Sequence, residues 1–243
     1  MLLALDIGNT SINSGIFSAD KLIRVYTFNL AVSKSYFDKI FNDFPQIKIV
    51  AVCDVIQQWQ KMENLFLQRN ISVFKIDTNT KLFFKSNYIT HNTLGKDRLS
   101  AIAGGIALFP NTALLIVDAG TAITFDYVND KGVFLGGRIS PGINLRFSVL
   151  HTQTKKLPLL NKTINFPKIG TTTNEAILSG VLDGVVKEIE GVITDFKQQN
   201  LISKVIFTGG DAKFLHNIIK FNIFVLPNLV LKGIYELYKF NNQ

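Results

Sequence analysis

The sequence contains one cysteine and three histidines among 243 residues, and this scarcity excludes several kinds of site. The single thiol, Cys53, excludes an intrachain disulfide and any metal site built from several cysteines. It follows an apolar run over residues 49–52, so we expect a buried small residue rather than a nucleophile. The histidines are scattered without the spacing of zinc ligands, so no zinc site is expected.

Long apolar runs are also lacking, and none approaches the roughly 18 residues that a membrane-spanning helix needs. The chain starts Met-Leu-Leu-Ala-Leu-Asp, without the basic flank or cleavage site of an export signal. We therefore expect a cytoplasmic protein with no membrane partner. The Gly-x-x-x-x-Gly-Lys-Ser/Thr run of P-loop enzymes is absent as well, which excludes that class of nucleotide-binding protein.

What the sequence does contain is apolar residues and positive charge. Hydrophobic residues make up 47% of the chain and charged residues 18%, which is enough for a sizeable core and argues against disorder. The formal net charge is +8, but the lysines and arginines are dispersed rather than gathered in a stripe, so we expect no nucleic-acid partner. Attraction of anionic small molecules such as nucleotides explains the excess equally well.

A short pattern of residues occurs twice in the chain. An apolar strand near the start ends in Asp6, followed by Ile-Gly-Asn-Thr, and a strand over residues 113–117 is followed by Asp118 and Ala-Gly-Thr. A second strand follows each copy, and the aspartates are 112 residues apart, near half of the chain length. We therefore predict a duplicated α/β fold with two similar lobes, residues 1–111 and 112–243, each a mixed sheet flanked by helices.

The repeated pattern suits the binding of nucleotide phosphates. Glycine lets the backbone approach the phosphates, turn amides donate to them, and a carboxylate attracts Mg²⁺, which prefers oxygen ligands. Taken alone, the Asp6 copy also fits an ordinary hairpin with Gly-Asn in its turn. The second copy at Asp118, and a Thr-Gly-Gly turn at 208–210, favour a nucleotide site.

A third group of polar residues lies between the two copies. Gly95-Lys96-Asp97-Arg98 opens a helix that is predicted to continue to residue 109 and to end at a proline. A carboxylate at this position can deprotonate a substrate hydroxyl, and a neighbouring guanidinium can hold an anion. The alternative is a charge pattern that only stabilises the helix N-terminus.

These motifs, in this order, resemble those of the type III pantothenate kinases, in the superfamily of actin and the sugar kinases. The resemblance covers residues 1 to about 210. It is carried by Asp6-x-Gly-Asn-Thr10, Tyr88 with Gly95-x-Asp97-Arg98, Asp118-x-Gly-Thr-Ala-x-Thr124, Gly136-Gly137-x-Ile139-x-Pro141-Gly142 and Thr208-Gly209-Gly210. It implies a duplicated ribonuclease-H-like, actin-like fold and the phosphorylation of pantothenate by ATP, the first step of coenzyme A synthesis.

The resemblance also implies roles for the matching residues. Asp97 would be the general base, Asp6 would lie at the Mg²⁺ site, Asp118 would bind a monovalent cation (K⁺ or NH₄⁺) and Thr121 would contact ATP. The pantothenate site would be lined by Tyr88, Gly95, Lys96, Asp97 and Arg98. The residues implied to contact the ATP phosphates are Asp6, Ile7, Gly8, Asn9, Thr10, Ser11, Ile12 and Asn13.

Family members are homodimers in which a threonine of the second lobe reaches the partner's pantothenate, and Thr173 matches that residue. The preceding position is usually asparagine in the family but is Thr172 here, and a plain helix N-cap is the alternative role for Thr173. The position before Asp97, usually apolar or small, is Lys96.

Two other functions compete with the leading one. Some relatives of this family are transcription accessory factors, so a non-enzymatic regulator is one alternative, and a different small-molecule kinase on the same fold is another. A regulator has no need to keep Asp6, Asp97, Arg98 and Asp118 together, so this set favours catalysis.

Overall fold

A computed structural model describes residues 1–30 and 34–243 of the chain. They form two compact units, one of Met1–Pro110 with Asn228–Gln243 and the other of Asn111–Pro227. The sequence placed all residues after 111 in the second lobe, whereas the structure returns the last helix to the first unit. The physical reason is an apolar face on that helix, including Leu231, Ile234 and Leu237, which is buried in the first unit.

The first unit contains a sheet and the helices that cover it. Its helices are α1 (Lys34–Asp43), α2 (Trp59–Leu67), α3 (Lys96–Leu108) and α7 (Leu229–Asn241). The strands of its sheet are β1 (Leu2–Ile7), β2 (Ser11–Ser18), β3 (Lys21–Asn29), β4 (Ile49–Asp54) and β5 (Ser72–Lys75). The two-residue strand β6 (Lys85–Ser86) is not part of this sheet.

The second unit is built in the same way. Its helices are α4 (Ile143–Gln153), α5 (Thr173–Gln198) and α6 (Ala212–His216). Its strands are β7 (Leu114–Ala119), β8 (Ala122–Val128), β9 (Val133–Pro141), β10 (Lys204–Thr208) and β11 (Phe224–Val225).

The strand orders of the two units are equivalent. In the first, the order is β3-β2-β1-β4-β5, and in the second β9-β8-β7-β10-β11. In each unit the first strand pairs antiparallel with the second and parallel with a later strand, so both sheets are mixed. The predicted duplication and fold class are therefore confirmed.

The central strands β1 and β7 explain why the two copies of the motif begin with an apolar run. Both have the same burial pattern, with only the aspartate partly exposed. A central strand that pairs on both sides and is covered on both faces needs a nearly continuous apolar sequence. Asp6 and Asp118 lie near the carboxyl ends of β1 and β7, where these strands leave the apolar core.

Helices α3 and α7 of the first unit cross at two glycines. A Cβ added at Gly233 would lie 1.6 Å from the carbonyl oxygen of Ser100, and one added at Gly104 would lie 2.4 Å from the carbonyl oxygen of Leu229. Only glycine permits so close an approach of the two backbones. Helix α3 begins at Lys96 and carries Asp97 and Arg98, so α7 packs directly on the helix that holds the predicted base.

Within the ranges that the structure describes, no helix is both long enough and apolar enough to cross a membrane.

Candidate active site

Asp6 lies near the carboxyl end of β1, one residue before the turn to β2. The turn closes with a hydrogen bond from the Gly8 amide to the Ser11 carbonyl, 3.0 Å long. Asn13 donates from its amide to the Asp6 carboxylate at 3.4 Å and accepts from the Thr27 hydroxyl at 3.0 Å. This chain of side chains fixes Asp6, while Asn9 and Thr10 remain exposed at the tip of the turn.

The electrostatic environment of Asp6 is unusual for a carboxylate. Burial, followed by repulsion from Asp97, raises the pKa of Asp6 to about 7, against the lowering effect of the Asn13 hydrogen bond. Burial and the charges of the same two aspartates also raise the pKa of the Cys53 thiol, so Asp6, Asp97 and Cys53 lie together. A pair of neighbouring carboxylates held partly desolvated is the arrangement that a bound cation relieves.

Asp97 occupies the first turn of α3. Its Oδ1 accepts from the Arg98 amide at 2.8 Å, and a Cβ added at Gly95 would lie 2.5 Å from that same oxygen. A side chain at position 95 would therefore have to displace the Asp97 carboxylate from this position. The neighbouring Lys96 donates from its ammonium to the Asp54 carbonyl oxygen at 3.2 Å, which ties the start of α3 to the end of β4.

Arg98 and Tyr88 form a second polar contact near the start of α3. Arg98 is only 5% exposed, and its guanidinium carbon lies 5.5 Å from the centre of the Tyr88 ring. A cation over an aromatic face is attracted by the ring, so the contact fixes both side chains. The structure therefore brings together Tyr88 and Arg98, which the sequence assigned to one substrate site.

In the second unit, Asp118 is the last residue but one of β7, as Asp6 is of β1, and it pairs in register with Thr124 and Thr208. The turn after β10 lies directly against it. Gly209 has a positive φ of 88°, and a Cβ there would lie 2.3 Å from the Asp118 Oδ1. Both the backbone conformation and the close approach require glycine, which brings the Thr208-Gly209-Gly210 turn and the Asp118 motif together.

The turn that contains Thr121 is supported from the other side by Gly142. The Gly142 amide donates to the Thr121 carbonyl at 2.9 Å, and a Cβ added at Gly142 would lie 2.1 Å from the Gly120 carbonyl oxygen. The Pro141-Gly142 part of the motif therefore positions the Asp118 turn. The Thr121 side chain itself is exposed.

Gly8 and Gly120 differ from these glycines because the protein itself leaves room for a side chain. A Cβ added at Gly8 would meet nothing closer than 3.5 Å, and one added at Gly120 nothing closer than 3.8 Å. Neither has a positive φ. The protein itself therefore requires glycine at neither position. Phosphates that approach the backbone of the turn would require it, so the residues present fit a nucleotide.

Thr173 is the first residue of α5, and it is not the cap of that helix. The cap is Thr172, whose hydroxyl accepts from the Glu175 amide at 3.3 Å, while the Glu175 carboxylate accepts from the Thr172 amide at 3.1 Å. This reciprocal capping box assigns to Thr172 the cap role that the sequence left open for Thr173. Thr173 instead lines an open groove between α4 and α5.

That groove, of about 770 Å³, is mostly apolar. Leu145 and Val149 on α4 are 39% and 47% exposed at its wall, although both are large apolar residues. The other lining residues are Pro141, Arg146, Leu150, Leu157, Thr173, Ala176, Ile177, Gly180 and Val181.

Sequence reasoning missed one ion pair in this region. Asp211 directly follows the Thr-Gly-Gly turn, and its carboxylate accepts from the ammonium of Lys162. A carboxylate right after two glycines was the available signal, but its partner is 49 residues away and has no local signature. In the described part of the chain, no three His, Cys, Asp or Glu side chains cluster as a ready metal site, so the protein side chains alone do not enclose one.

Comparison with known proteins identifies the family. A model of the type III pantothenate kinase family matches residues 2–195. The chain belongs to this family. The type III pantothenate kinase of Flavobacterium psychrophilum is 39% identical over 242 residues, covering 99% of both chains. That of Christiangramia forsetii is 35% identical over 244 residues, again covering 99% of both. The resemblance predicted from the motifs is confirmed.

Solved structures give the same fold for this pantothenate kinase family member. A Campylobacter jejuni protein, described as a conserved Baf family transcriptional activator, is similar with a TM-score of 0.64 and 25% identity over 99% of this chain and 98% of its own. The activator of the 2-hydroxyisocaproyl-CoA dehydratase from Clostridium difficile has a TM-score of 0.58 at 15% identity, over 99% and 94%. The second likeness concerns the fold alone.

Proposed function

We infer that the protein is an ATP-dependent kinase that phosphorylates pantothenate in the first step of coenzyme A biosynthesis. One observation in the molecule carries this inference. Asp6 and Asp97 lie together at the polar edge of the first sheet, one placed to attract a cation and the other at the start of a helix. Membership of the family supplies the substrate. We propose a cytoplasmic location, where ATP is available.

The reaction is tested with purified protein, ATP, Mg²⁺, K⁺ and pantothenate. Formation of ADP and phosphopantothenate in equal amounts is expected. ATP hydrolysis independent of pantothenate, or no turnover, would overturn the proposal.

Phosphoryl transfer requires positioning and charge neutralisation more than covalent chemistry from the protein. We propose that Asp97 accepts the proton of the pantothenate hydroxyl as its oxygen attacks the γ-phosphorus and the bond to the ADP oxygen breaks. The pantothenate site would be lined by Tyr88, Gly95, Lys96 and Arg98. The positive charges of Lys96 and Arg98 suit the carboxylate of that substrate.

We propose that the turns after β1 and β7 each contact ATP. Asp6 would hold Mg²⁺, which neutralises the phosphates when bound, and the segment from Ile7 to Asn13 would contact them. The open space beside Gly8 and Gly120 supports this assignment, since phosphates can approach the backbone there. Thr121 is exposed in the second turn and is available to ATP.

The regulator that the sequence left open is separated from the kinase by the same assay. The two carboxylates of Asp6 and Asp97 repel each other, which is unfavourable without a ligand. A regulator needs the fold but has no need of this pair. Pantothenate-dependent turnover would therefore exclude it as the sole function.

Asp118 is proposed to hold a monovalent cation. We expect high activity in K⁺ or NH₄⁺ and low activity in Na⁺ or Li⁺, and we expect Asp118→Asn to reduce the difference. A large, weakly hydrated cation neutralises phosphate charge without demanding octahedral geometry, whereas smaller ions hold their water more tightly. Initial rates are compared in the four chloride salts at matched ionic strength. Equal rates of the wild-type protein in all four would contradict this role.

The apolar groove of the second unit supports a homodimer as the working unit. A surface of large exposed apolar residues is more often an interface than a free surface, and helix α5 offers small residues, Ala176 and Gly180, that allow close approach. We propose that a second copy of the chain covers this groove. Because Thr173 lines the groove, it would then lie at the interface, where it can reach the partner's pantothenate.

The dimer can be tested by mixing two inactive proteins. Asp97→Asn removes the base, and Thr173→Phe is expected to block the partner's substrate site. In a mixed dimer, one site keeps both wild-type groups, so an equal mixture after subunit exchange should recover about a quarter of wild-type activity if pairing is random. The measurement is specific activity before and after exchange, with Asn174→Phe as the matched control for a bulky residue beside Thr173.

The control should be as active as wild type by itself. No recovery beyond the sum of the two parents would overturn the shared site, and a monomer by sedimentation at assay concentration would overturn the dimer.

A further inference from the structure

The long segment between α4 and α5 is joined to the start of α6 by an ion pair. The ammonium of Lys162 donates to the carboxylate of Asp211 and lies 5.5 Å from the centre of the Phe214 ring. Asp211 is only 6% exposed. Exposed ion pairs contribute little, but a nearly inaccessible carboxylate that loses its cation is left with an uncompensated charge.

Asp211 is also part of the turn that lies against Asp118. Its amide donates to the Ala119 carbonyl at 2.9 Å, and the next amide, of Ala212, donates to the Gly209 carbonyl at 3.2 Å. Gly209 has no room for a Cβ because the Asp118 Oδ1 and the Ala119 carbonyl are within 2.5 Å of that position. A displacement of Asp211 would therefore move the turn. Because the turn packs closely against Asp118, that carboxylate would move as well.

The charges of Asp118 and Asp211 also connect Lys162 with nucleotide binding. Asp118 already brings one carboxylate close to the region where the proposed function puts an anionic nucleotide. Without the Lys162 ammonium, Asp211 would add a second negative charge that this lysine no longer neutralises, and like charges oppose the binding of phosphates.

We propose that Lys162 is a positioning residue for nucleotide binding, which neutralises Asp211 and holds the Thr208–Gly210 turn against Asp118. This inference rests on the proposed function, because it takes the Asp118 turn to be a contact of ATP. Lys162 does not touch the reacting atoms. It acts through Asp211, so the pantothenate site of the first unit should not respond to its loss.

The test compares nucleotide binding with pantothenate binding. Lys162→Met should weaken ADP binding, measured by titration calorimetry, and raise the KM for ATP, each by about tenfold, the factor that corresponds to a coupling of ordinary size. The KM for pantothenate should change less than about twofold, within ordinary context effects. Lys162→Arg, which keeps the charge, should restore most of the ADP affinity, and Lys168→Met, an exposed lysine in the same segment, is the matched control.

A second route removes the carboxylate instead. Asp211→Asn and the double variant Lys162→Met with Asp211→Asn lack the uncompensated charge, so both should bind ADP more tightly than Lys162→Met alone. If Lys162→Met fails to fold, Lys162→Gln, which also lacks the charge but keeps a polar end, takes its place in each comparison. An unchanged ADP affinity in folded Lys162→Met, or an equal loss in Lys162→Met and the double variant, would overturn the inference.

The two proposals fail separately. If the wild-type protein phosphorylates pantothenate and Lys162→Met binds ADP normally, only the role of Lys162 is wrong. If the wild-type protein binds ADP in a Lys162-dependent way but does not phosphorylate pantothenate, the proposed function is wrong and the role of Lys162 in nucleotide binding stands.

Discussion

Replacing Asp97 by asparagine is expected to lower kcat by roughly 10²–10⁴-fold, the usual contribution of a general base. The amide keeps the shape of the carboxylate and can still accept from the Arg98 amide, so helix α3 should keep its first turn. Since only the proton-accepting group is lost, the KM values for ATP and pantothenate should change little. Steady-state kinetics over both substrates measures the three constants.

The control for this substitution is Asp195→Asn, the same chemical change at an exposed position of α5, which should leave kcat unaltered. Far-ultraviolet circular dichroism establishes that both variants are folded. A folded Asp97→Asn protein that keeps more than about a tenth of the wild-type kcat would remove Asp97 from the role of base, because that loss is well below the usual range.

Replacing Asp6 by asparagine should abolish Mg²⁺-dependent activity and yet stabilise the protein at neutral pH. Burial and Asp97 raise the pKa of Asp6 to about 7, above the value of 3.8 for an unperturbed aspartate. The folded state therefore binds a proton that the unfolded state has lost, and stability falls as pH rises through this window. Above pH 7 the ionised Asp6 carboxylate lowers the free energy of unfolding by about 2–4 kcal/mol. An uncharged asparagine avoids this loss.

Urea unfolding without Mg²⁺ or nucleotide measures this effect. The free energy of unfolding of Asp6→Asn should exceed that of the wild type by an amount that grows between pH 4.5 and pH 8. Asp20→Asn is the opposite control, because hydrogen bonds from Lys239 and Tyr235 lower the pKa of Asp20 in the folded state. Its loss should remove stability that is present at neutral pH and fades at acid pH. Parallel pH profiles for the wild type and Asp6→Asn would contradict the environment assigned to Asp6.

Much of the fold could be predicted because its signals are local. An apolar strand that ends in Asp-x-Gly marks the centre of each sheet, and the two copies predict the duplication. Helix α3 was expected over residues 96–109 and is observed from Lys96 to Leu108, since the polar start and the proline after it are both short-range features.

Helix α4 was not predicted, for a physical reason. Its sequence places apolar residues at Ile143, Leu145, Phe147 and Val149, an alternation that does not distinguish one buried helical face. Ile143 and Phe147 are buried in the core, whereas Leu145 and Val149 remain exposed along the groove. A helix with apolar residues on two faces loses the amphipathic pattern by which helices are recognised.

The positions of the candidate site residues in the fold could be predicted where each motif is contiguous, and contacts were missed where two distant segments meet. Asp6, Asp97 and Asp118 stand at the ends of strands or the start of a helix, which local patterns identify. The ion pair of Lys162 with Asp211 depends on how a long irregular segment folds back. The cap role of Thr172 rather than Thr173 depends on one residue of register, which sequence patterns leave uncertain at helix ends.

The packing of α7 on α3 has a consequence for the order in which the chain can fold during synthesis. The first unit is discontinuous, because its last helix is translated after the whole of the second unit. The turn of α3 around Ser100, next to Asp97, lies against Gly233, close to the C-terminal end of the chain. Contacts of such long sequence separation form late. In a nascent chain, the whole of the second unit is therefore translated before α7, and the surroundings of the predicted base can be completed only after α7 has been made.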